Sequence, residues 1–187
     1  MSLNYIITKL YFAKQKKGDD TMKRILFVLA VLLGLQLCGA EIYRGYSTSG
    51  NAAYNYDARN MQLYRGYSTS GSAAFTYEAG NTPRIYRGYS RSGNSIYTFE
   101  YSGNIIRMYR GYSTSGSSAY VMELGRTPQI YRGYSTSGNA AYTLEYYDST
   151  LRIYRGYSTS GTPIAVIDKY DEVPKPMLMF IVTMLGE

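Results

Sequence analysis

The octapeptide Tyr-Arg-Gly-Tyr-Ser-Thr-Ser-Gly, which occupies residues 43–50, occurs six times in this chain of 187 residues. Successive copies begin 21, 22, 23, 22 and 23 residues apart, and one copy carries Arg91 in place of the threonine. The copies start at Tyr43, Tyr64, Tyr86, Tyr109, Tyr131 and Tyr154. A fixed period of this length is typical of repeat proteins, in which each unit buries its apolar side against its neighbours.

Each repeat has the pattern of a β-hairpin. Residues 42–46 are rich in β-formers, residues 47–50 are a turn cluster, and residues 51–57 carry aromatic side chains two positions apart. The pattern predicts an all-β fold in which six tandem hairpins of about 22 residues form an extended antiparallel sheet. A β-solenoid and a β-trefoil are the alternatives. A twelve-stranded outer-membrane barrel is less favoured, because its strands need ~9–11 residues.

A two-residue turn would place Tyr43 and Gly45 on the same face as Tyr54 and Tyr56. The positions equivalent to Tyr54 and Tyr56 stay aromatic or aliphatic in the other units, so this face is the predicted core. The octapeptide glycine is expected inside a strand, with an aromatic ring packed against its backbone.

The opposite face would carry one arginine and one acid per repeat, such as Arg44 and Asp57, paired within each hairpin. These arginines and the exposed tyrosines beside them form the candidate binding surface, because tyrosine supplies rigid amphipathic contact area. Its residues are Arg44, Tyr46, Arg65, Tyr67, Arg87, Tyr89, Arg110, Tyr112, Arg132, Tyr134, Arg155 and Tyr157.

The spacing Tyr-x-Gly-x-x-x-x-Gly, as in Tyr43, Gly45 and Gly50, resembles the first half of the membrane occupation and recognition nexus (MORN) repeat. The resemblance covers residues 43–161 by period and spacing. It implies an elongated sheet built from hairpins of ~23 residues. In the second half of the unit, Tyr54 and Tyr56 stand where that family has paired glycines, so only the architecture is inferred from it.

Residues 1–40 have the features of a leader with an export signal. A basic pair follows Met22, an apolar run covers residues 25–37, and small residues end at Ala40, the expected cleavage point. Met22 is a candidate for the true start of the chain. The sequence therefore predicts an exported protein, whether periplasmic, on the cell surface or secreted. A lipoprotein anchored at Cys38 is the alternative.

The composition limits the function. The net charge of +7 falls to +3 from residue 41 onward, where 14 basic residues face 11 acidic ones, so nucleic acid is not an expected partner. The chain has no histidine and one cysteine, so no cofactor, metal or catalytic residue is expected. We expect a non-catalytic structural scaffold, or multivalent binding of protein or glycan partners. An ice- or surface-templating array and, with least support, an enzyme are the alternatives.

The repeats are assigned to residues 41–176, and an apolar run follows them near the C-terminus. Residues 177–187 are expected to cap the last hairpin as a further strand, because terminal repeats are commonly atypical.

Overall fold

Twelve strands and a C-terminal helix make up residues 39–187, the part of the chain that the computed structural model describes. The predicted signal segment, Met22 and Cys38 lie outside the described residues. The strands are β1 Gly39–Arg44, β2 Tyr54–Asp57, β3 Gln62–Arg65, β4 Phe75–Glu78, β5 Arg84–Arg87, β6 Tyr97–Ser102, β7 Ile105–Arg110, β8 Tyr120–Glu123, β9 Gln129–Arg132, β10 Tyr142–Tyr147, β11 Thr150–Arg155 and β12 Ala165–Asp168. A short 3-10 helix, Tyr170–Glu172, precedes the helix α1, Lys175–Gly186.

Each strand pairs antiparallel with the next, and β1 pairs with β12, which closes the sheet into a barrel. At this seam Ile42 lies opposite Ile167 and Glu41 lies opposite Asp168. The all-β prediction and the hairpin-like order of the strands are confirmed. The extended open sheet is wrong, and this up-and-down order is neither a solenoid nor a trefoil. Closure pairs both edges of every strand between residues 39 and 187.

The predicted register is also wrong, and the pairing is shifted by three residues. In the structure Ile42 lies opposite Tyr54, whereas a two-residue turn would have placed Tyr43 opposite Tyr56. The connection is nine residues long, from 45 to 53, instead of a tight turn. Because side chains alternate along a strand, this difference moves Tyr43 to the face opposite Tyr54 and Tyr56.

The apolar core lies inside the barrel. The even-numbered strands contribute the aromatic and aliphatic residues that the sequence predicted for the core, including Tyr56 and Phe99. The odd-numbered strands contribute the residue before each octapeptide, including Ile42 and Ile85. These four side chains are at most 1% exposed. The core prediction was therefore correct for the even strands, and Ile42 takes the interior position that was expected for Tyr43.

The helix α1 lies inside the same core. Six consecutive residues, 177–182, are at most 4% exposed, so the barrel covers every face of the helix. Phe180 packs edge-on against Phe75 of β4 at 4.8 Å between ring centroids, and it also contacts Tyr97 of β6 at 5.6 Å. The predicted capping strand is wrong, because this segment is a buried helix.

The helix gives the barrel a solid interior. About eight strands form a barrel that side chains alone can fill, and wider barrels enclose additional space. With twelve strands, the helix occupies that space. Pro176 lies in its first turn, where the missing N–H has no helical partner to lose. Within residues 39–187, no helix combines the length and apolar character needed to cross a membrane.

Candidate functional site

Six nine-residue loops leave one end of the barrel, each joining an odd-numbered strand to the next even-numbered strand. We call them collar loops 1 to 6. They comprise residues 45–53, 66–74, 88–96, 111–119, 133–141 and 156–164. Each contains the last six residues of one octapeptide, so the most regular part of the sequence forms the loops and not the core.

A glycine turns each collar loop away from its strand. Gly45 and Gly111 have φ angles of +84° and +81°, in the left-handed region that side chains disfavour. A Cβ atom added to either residue would meet no other atom within 4 Å. The close packing against an aromatic ring that the sequence suggested is therefore wrong. These glycines are needed for their backbone conformation.

Hydrogen bonds join the collar loops into a closed ring. The N–H of the first glycine in each loop donates to the carbonyl of the last residue in the preceding loop, at 2.7–2.8 Å. Gly66 bonds to Ala53 in this way, and Gly45 bonds to Ile164, which closes the ring at the β1–β12 seam. The collar is thus continuous around the barrel and depends on barrel closure.

The collar loops fold back over the outer face of the preceding hairpin. Asn55 of β2 donates to the carbonyl of Tyr67 at 3.1 Å, and Thr98 of β6 donates to the carbonyl of Gly111 at 2.7 Å. The first tyrosine of each octapeptide lies beneath this layer: Tyr43 is only 7% exposed, whereas Tyr46 is 76% exposed. The two octapeptide tyrosines therefore have different roles, one covered and one displayed.

In four repeats the residue two positions before the octapeptide, namely Gln62, Arg84, Arg107 or Gln129, contacts a more distant collar loop. Gln62 donates to the carbonyl of Tyr89 at 3.2 Å. The guanidinium of Arg84 stacks 4.4 Å from the ring centroid of Tyr112, and that of Arg107 stacks 4.9 Å from Tyr134. The sequence analysis missed these residues. Glutamine or arginine recurs two positions before the octapeptide, and this recurrence could have identified them.

Three of the repeat acids, Glu78, Glu100 and Glu145, accept hydrogen bonds from the first tyrosine of an octapeptide. Two of them also pair with an arginine that lies outside the octapeptide. Tyr86 donates to Glu78 at 2.7 Å, and Glu78 lies 3.9 Å from Arg84. Tyr154 donates to Glu145 at 2.8 Å. Burial and, next, the hydrogen bond to the carboxylate raise the pKa of both tyrosines. The predicted pairing of each octapeptide arginine with the acid of its own hairpin is therefore wrong.

The octapeptide arginines instead form what we call the arginine rim, at the end of the barrel where the collar loops leave. Each is the last residue of an odd-numbered strand, and all six are exposed. They are Arg44, Arg65, Arg87, Arg110, Arg132 and Arg155. The C-terminus of α1 reaches this rim, where Arg155 donates to the carbonyl of Gly186 at 3.1 Å. A cation at this position stabilises the negative end of the helix dipole.

Similar clefts occur at three of the collar loops. The clefts at loops 2, 4 and 5 have volumes of about 260, 540 and 310 Å³. Equivalent residues line all three: the first octapeptide tyrosine, the rim arginine, the second octapeptide serine and the next polar residue. In loop 4 these are Tyr109, Arg110, Ser115 and Ser117. The same side chains thus recur as a polar cleft around the barrel.

Hydroxyl groups hold the collar loops in one shape. In every loop the two octapeptide serines approach each other, as Ser47 and Ser49 do at 2.6 Å between their Oγ atoms. The second serine's N–H also donates to the first serine's Oγ, at 3.0 Å in loop 1. This local bonding resembles the side-chain turns that serine commonly forms. It presents the loops in a repeated conformation.

The displayed tyrosines are the most exposed large hydrophobic side chains of the described region. Tyr46, Tyr67, Tyr89, Tyr112, Tyr134 and Tyr157 all lie on collar loops and are 60–76% exposed. The structure therefore places the predicted arginines and tyrosines at the same end of the barrel. The stacking partners of Tyr112 and Tyr134 are nevertheless Arg84 and Arg107, and not rim arginines.

Among residues 39–187, no cluster of three or more cysteine, aspartate, glutamate or histidine side chains is arranged to hold a metal ion. Comparisons with protein-family models, curated proteins and solved structures found no match to this chain. The function is therefore argued from the collar and the arginine rim alone.

Proposed function

We propose that this chain is an exported, non-catalytic binding or scaffold protein whose affinity comes from its repeated collar loops. The observation that carries the proposal is the recurrence of one polar cleft, with equivalent arginine, serine and tyrosine residues, at three positions around the barrel. A ligand that repeats could contact several loops at once, and linked weak contacts raise the overall affinity.

The placement of polar and apolar groups supports a role in water. The barrel encloses its apolar residues, and its outer face carries the Glu78–Arg84 pair and the collar loops. A bilayer-spanning barrel has the opposite arrangement, with an apolar outer band. The proposed partners are therefore proteins or glycans outside the cytoplasm, and the export itself rests on the leader sequence.

The rigidity of the collar supports binding in preference to a purely structural role. The ring of backbone hydrogen bonds and the serine pairs fix the loops before a partner arrives. Preorganised loops lose less conformational entropy on binding. Tyrosine suits this surface because its ring supplies contact area at low entropic cost.

Cumulative substitution tests the proposal. Glycan and extracellular-protein arrays are first probed with the whole protein, and then with Tyr67→Ser, Tyr89→Ser and Tyr157→Ser introduced one, two and three at a time. Retention should fall stepwise with the number of altered loops. Tyr101→Ser, on β6 and outside the collar, is the matched control and should bind normally. The proposal would be contradicted if the substitution in a single loop abolished all binding. It would also be contradicted if the intact protein turned over a substrate.

A further inference from the structure

The charged side chains are divided unevenly between the two ends of the barrel. From residue 41 onward there are 14 basic and 11 acidic residues. The end with the collar has seven of these arginines, namely the six of the arginine rim and Arg91, and one of the acids, Glu187. The rest of the barrel has seven basic and ten acidic residues. The collar end is thus a concentrated positive surface.

The acids elsewhere on the barrel do not neutralise the arginine rim. The ion pairs among residues 39–187 join Glu78 to Arg84 and Glu145 to Arg152, each at 3.9 Å. Neither pair includes a rim arginine. An exposed guanidinium presents several N–H donors in one plane and binds carboxylate or sulfate groups through two of them.

The clefts add hydroxyl groups to this positive surface. At loop 4 Arg110 and Arg132 border one cleft together with Ser115, Ser117 and Glu187, so its lining has two guanidinium groups and one carboxylate. Its volume of about 540 Å³ is in the range of small-ligand sites, ~300–1,000 Å³. Hydroxyls both donate and accept hydrogen bonds, as sugar hydroxyls do. The cleft therefore offers partners to the charged group and to the ring hydroxyls of an acidic sugar.

We propose that the arginine rim and its clefts bind an anionic polysaccharide. Carboxylate or sulfate groups contact the rim arginines, and sugar hydroxyls contact the collar serines. The assignment rests on the multivalent binding role proposed above and names the chemical class of its ligand. A polymer with a charge on each repeating unit can contact several rim positions together.

A polysaccharide fits these clefts better than a single-stranded nucleic acid does. Proteins that bind single strands combine a basic groove with aromatic rings on which bases stack. Five tyrosines line the clefts and are only 2–7% exposed, namely Tyr64, Tyr109, Tyr120, Tyr131 and Tyr142. Of the displayed tyrosines, Tyr112 and Tyr134 already stack against arginines of the barrel wall. The clefts thus offer charge and hydroxyls without an open ring.

The test compares charge-matched variants of the full chain. The rim variant carries Arg65→Gln, Arg110→Gln and Arg132→Gln. The control variant carries Arg59→Gln, Arg126→Gln and Lys169→Gln, which remove the same charge from exposed positions outside the collar. Thermal unfolding of both should match that of the parent, because all six side chains are exposed.

Binding is measured to dextran sulfate, to uncharged dextran of equal length and to oligothymidylate of equal charge. We expect the parent to bind dextran sulfate and not dextran, and the rim variant to bind it roughly tenfold more weakly, with little change in the control. Equal weakening in both variants, or tighter binding of oligothymidylate, would overturn the inference. If array ligands other than anionic glycans show the stepwise loss described above, this inference fails and the proposed function stands.

A second inference concerns the start of the mature chain, and a separate observation carries it. Gly39 and Ala40 belong to β1, where they pair with Asp57 and Tyr56 of β2. Ala40 is fully buried in the core. A Cβ atom on residue 39 would collide with the carbonyl oxygen of Tyr56, so the strand requires glycine at this position.

We infer that export cleavage falls before Gly39, and not after Ala40 as the leader pattern predicts, because the later site would remove two residues of the barrel wall. Mass spectrometry of the exported protein should give a first residue at or before Gly39. A first residue at Glu41 in a folded, exported protein would overturn the inference, as would an uncleaved chain. The mass also reports whether a chain that begins at Cys38 carries a lipid.

Discussion

The collar and the barrel core differ in how far their sequences vary. Across the six collar loops the octapeptide is nearly identical, and the loops lie at the surface. In the core, equivalent positions differ: Tyr56 corresponds to Phe99, Met122, Leu144 and Ile167 in other repeats. The helix α1, which fills the centre, belongs to no repeat. The nearly identical residues of the collar set the conformation of the loops. The core residues differ between repeats because many combinations of apolar side chains can fill the same volume.

The largest single-residue effect should come from the core. Phe180→Ala removes a ring that packs against Phe75 and Tyr97, so it should lower the free energy of unfolding by ~3–5 kcal/mol. Tyr89→Ala in the collar also removes an aromatic ring, from a side chain 75% exposed, and should change stability by only ~0.5 kcal/mol. Urea unfolding of both variants checks this contrast. Similar losses from the two would contradict a buried helix.

A smaller effect is expected where the collar leaves the strands. Gly45→Ala and Gly111→Ala place a side chain at positive φ, and each should cost about 1–2 kcal/mol. In a closed ring the first and fourth loops are equivalent, so the two losses should agree closely. In an open sheet Gly45 would lie in the terminal unit, and its substitution would lower the stability less than that of Gly111. Paired thermal melts measure the difference, and a clearly smaller loss at Gly45 would favour an open edge.

A pH-dependent effect is expected in alkaline solution. Burial and, next, the hydrogen bond to Glu187 raise the pKa of Tyr120 to about 12, above its ordinary value of about 10. Folding therefore favours the protonated phenol. The contribution of this pKa shift to the free energy of unfolding is complete below pH about 10 and is lost as the pH rises to about 12. Tyr120→Phe should flatten the alkaline decline of stability in denaturant titrations at several pH values. An unchanged decline would show that Tyr120 ionises alike in both states.

Local patterns in the sequence were sufficient to predict the strands and half of the core. The aromatic alternation at Tyr54 and Tyr56 identified the interior of the even-numbered strands correctly. The register could not be derived in the same way, because it depends on loop length. A Ser-Gly pair suggested a two-residue turn, whereas nine residues fold back over the neighbouring hairpin. That contact joins two different repeats, so the residue pattern within a single repeat does not indicate it.

Barrel closure and the helix were harder to predict from the sequence than the register was. Closure depends on the pairing of β1 with β12, which are far apart in the chain. The apolar run from Met177 to Leu185 has no period, because every face of the helix is buried, and a short run of this kind is compatible with strand or helix. The candidate site was predicted as arginines and tyrosines. The serine-lined clefts appeared only once the loops were folded.

A designed disulfide across the β1–β12 seam tests the central claim, barrel closure, most directly. Glu41 and Asp168 are cross-strand partners on the outer face. With Cys38→Ser in both proteins, Glu41→Cys with Asp168→Cys is compared with Glu41→Cys and Glu100→Cys, whose second cysteine lies on the distant β6. Mild oxidation followed by peptide mass mapping should give an intramolecular disulfide in the seam variant and none in the control. In an open sheet β1 and β12 would be ~50 Å apart, so failure of the seam pair to crosslink within one molecule would contradict the account.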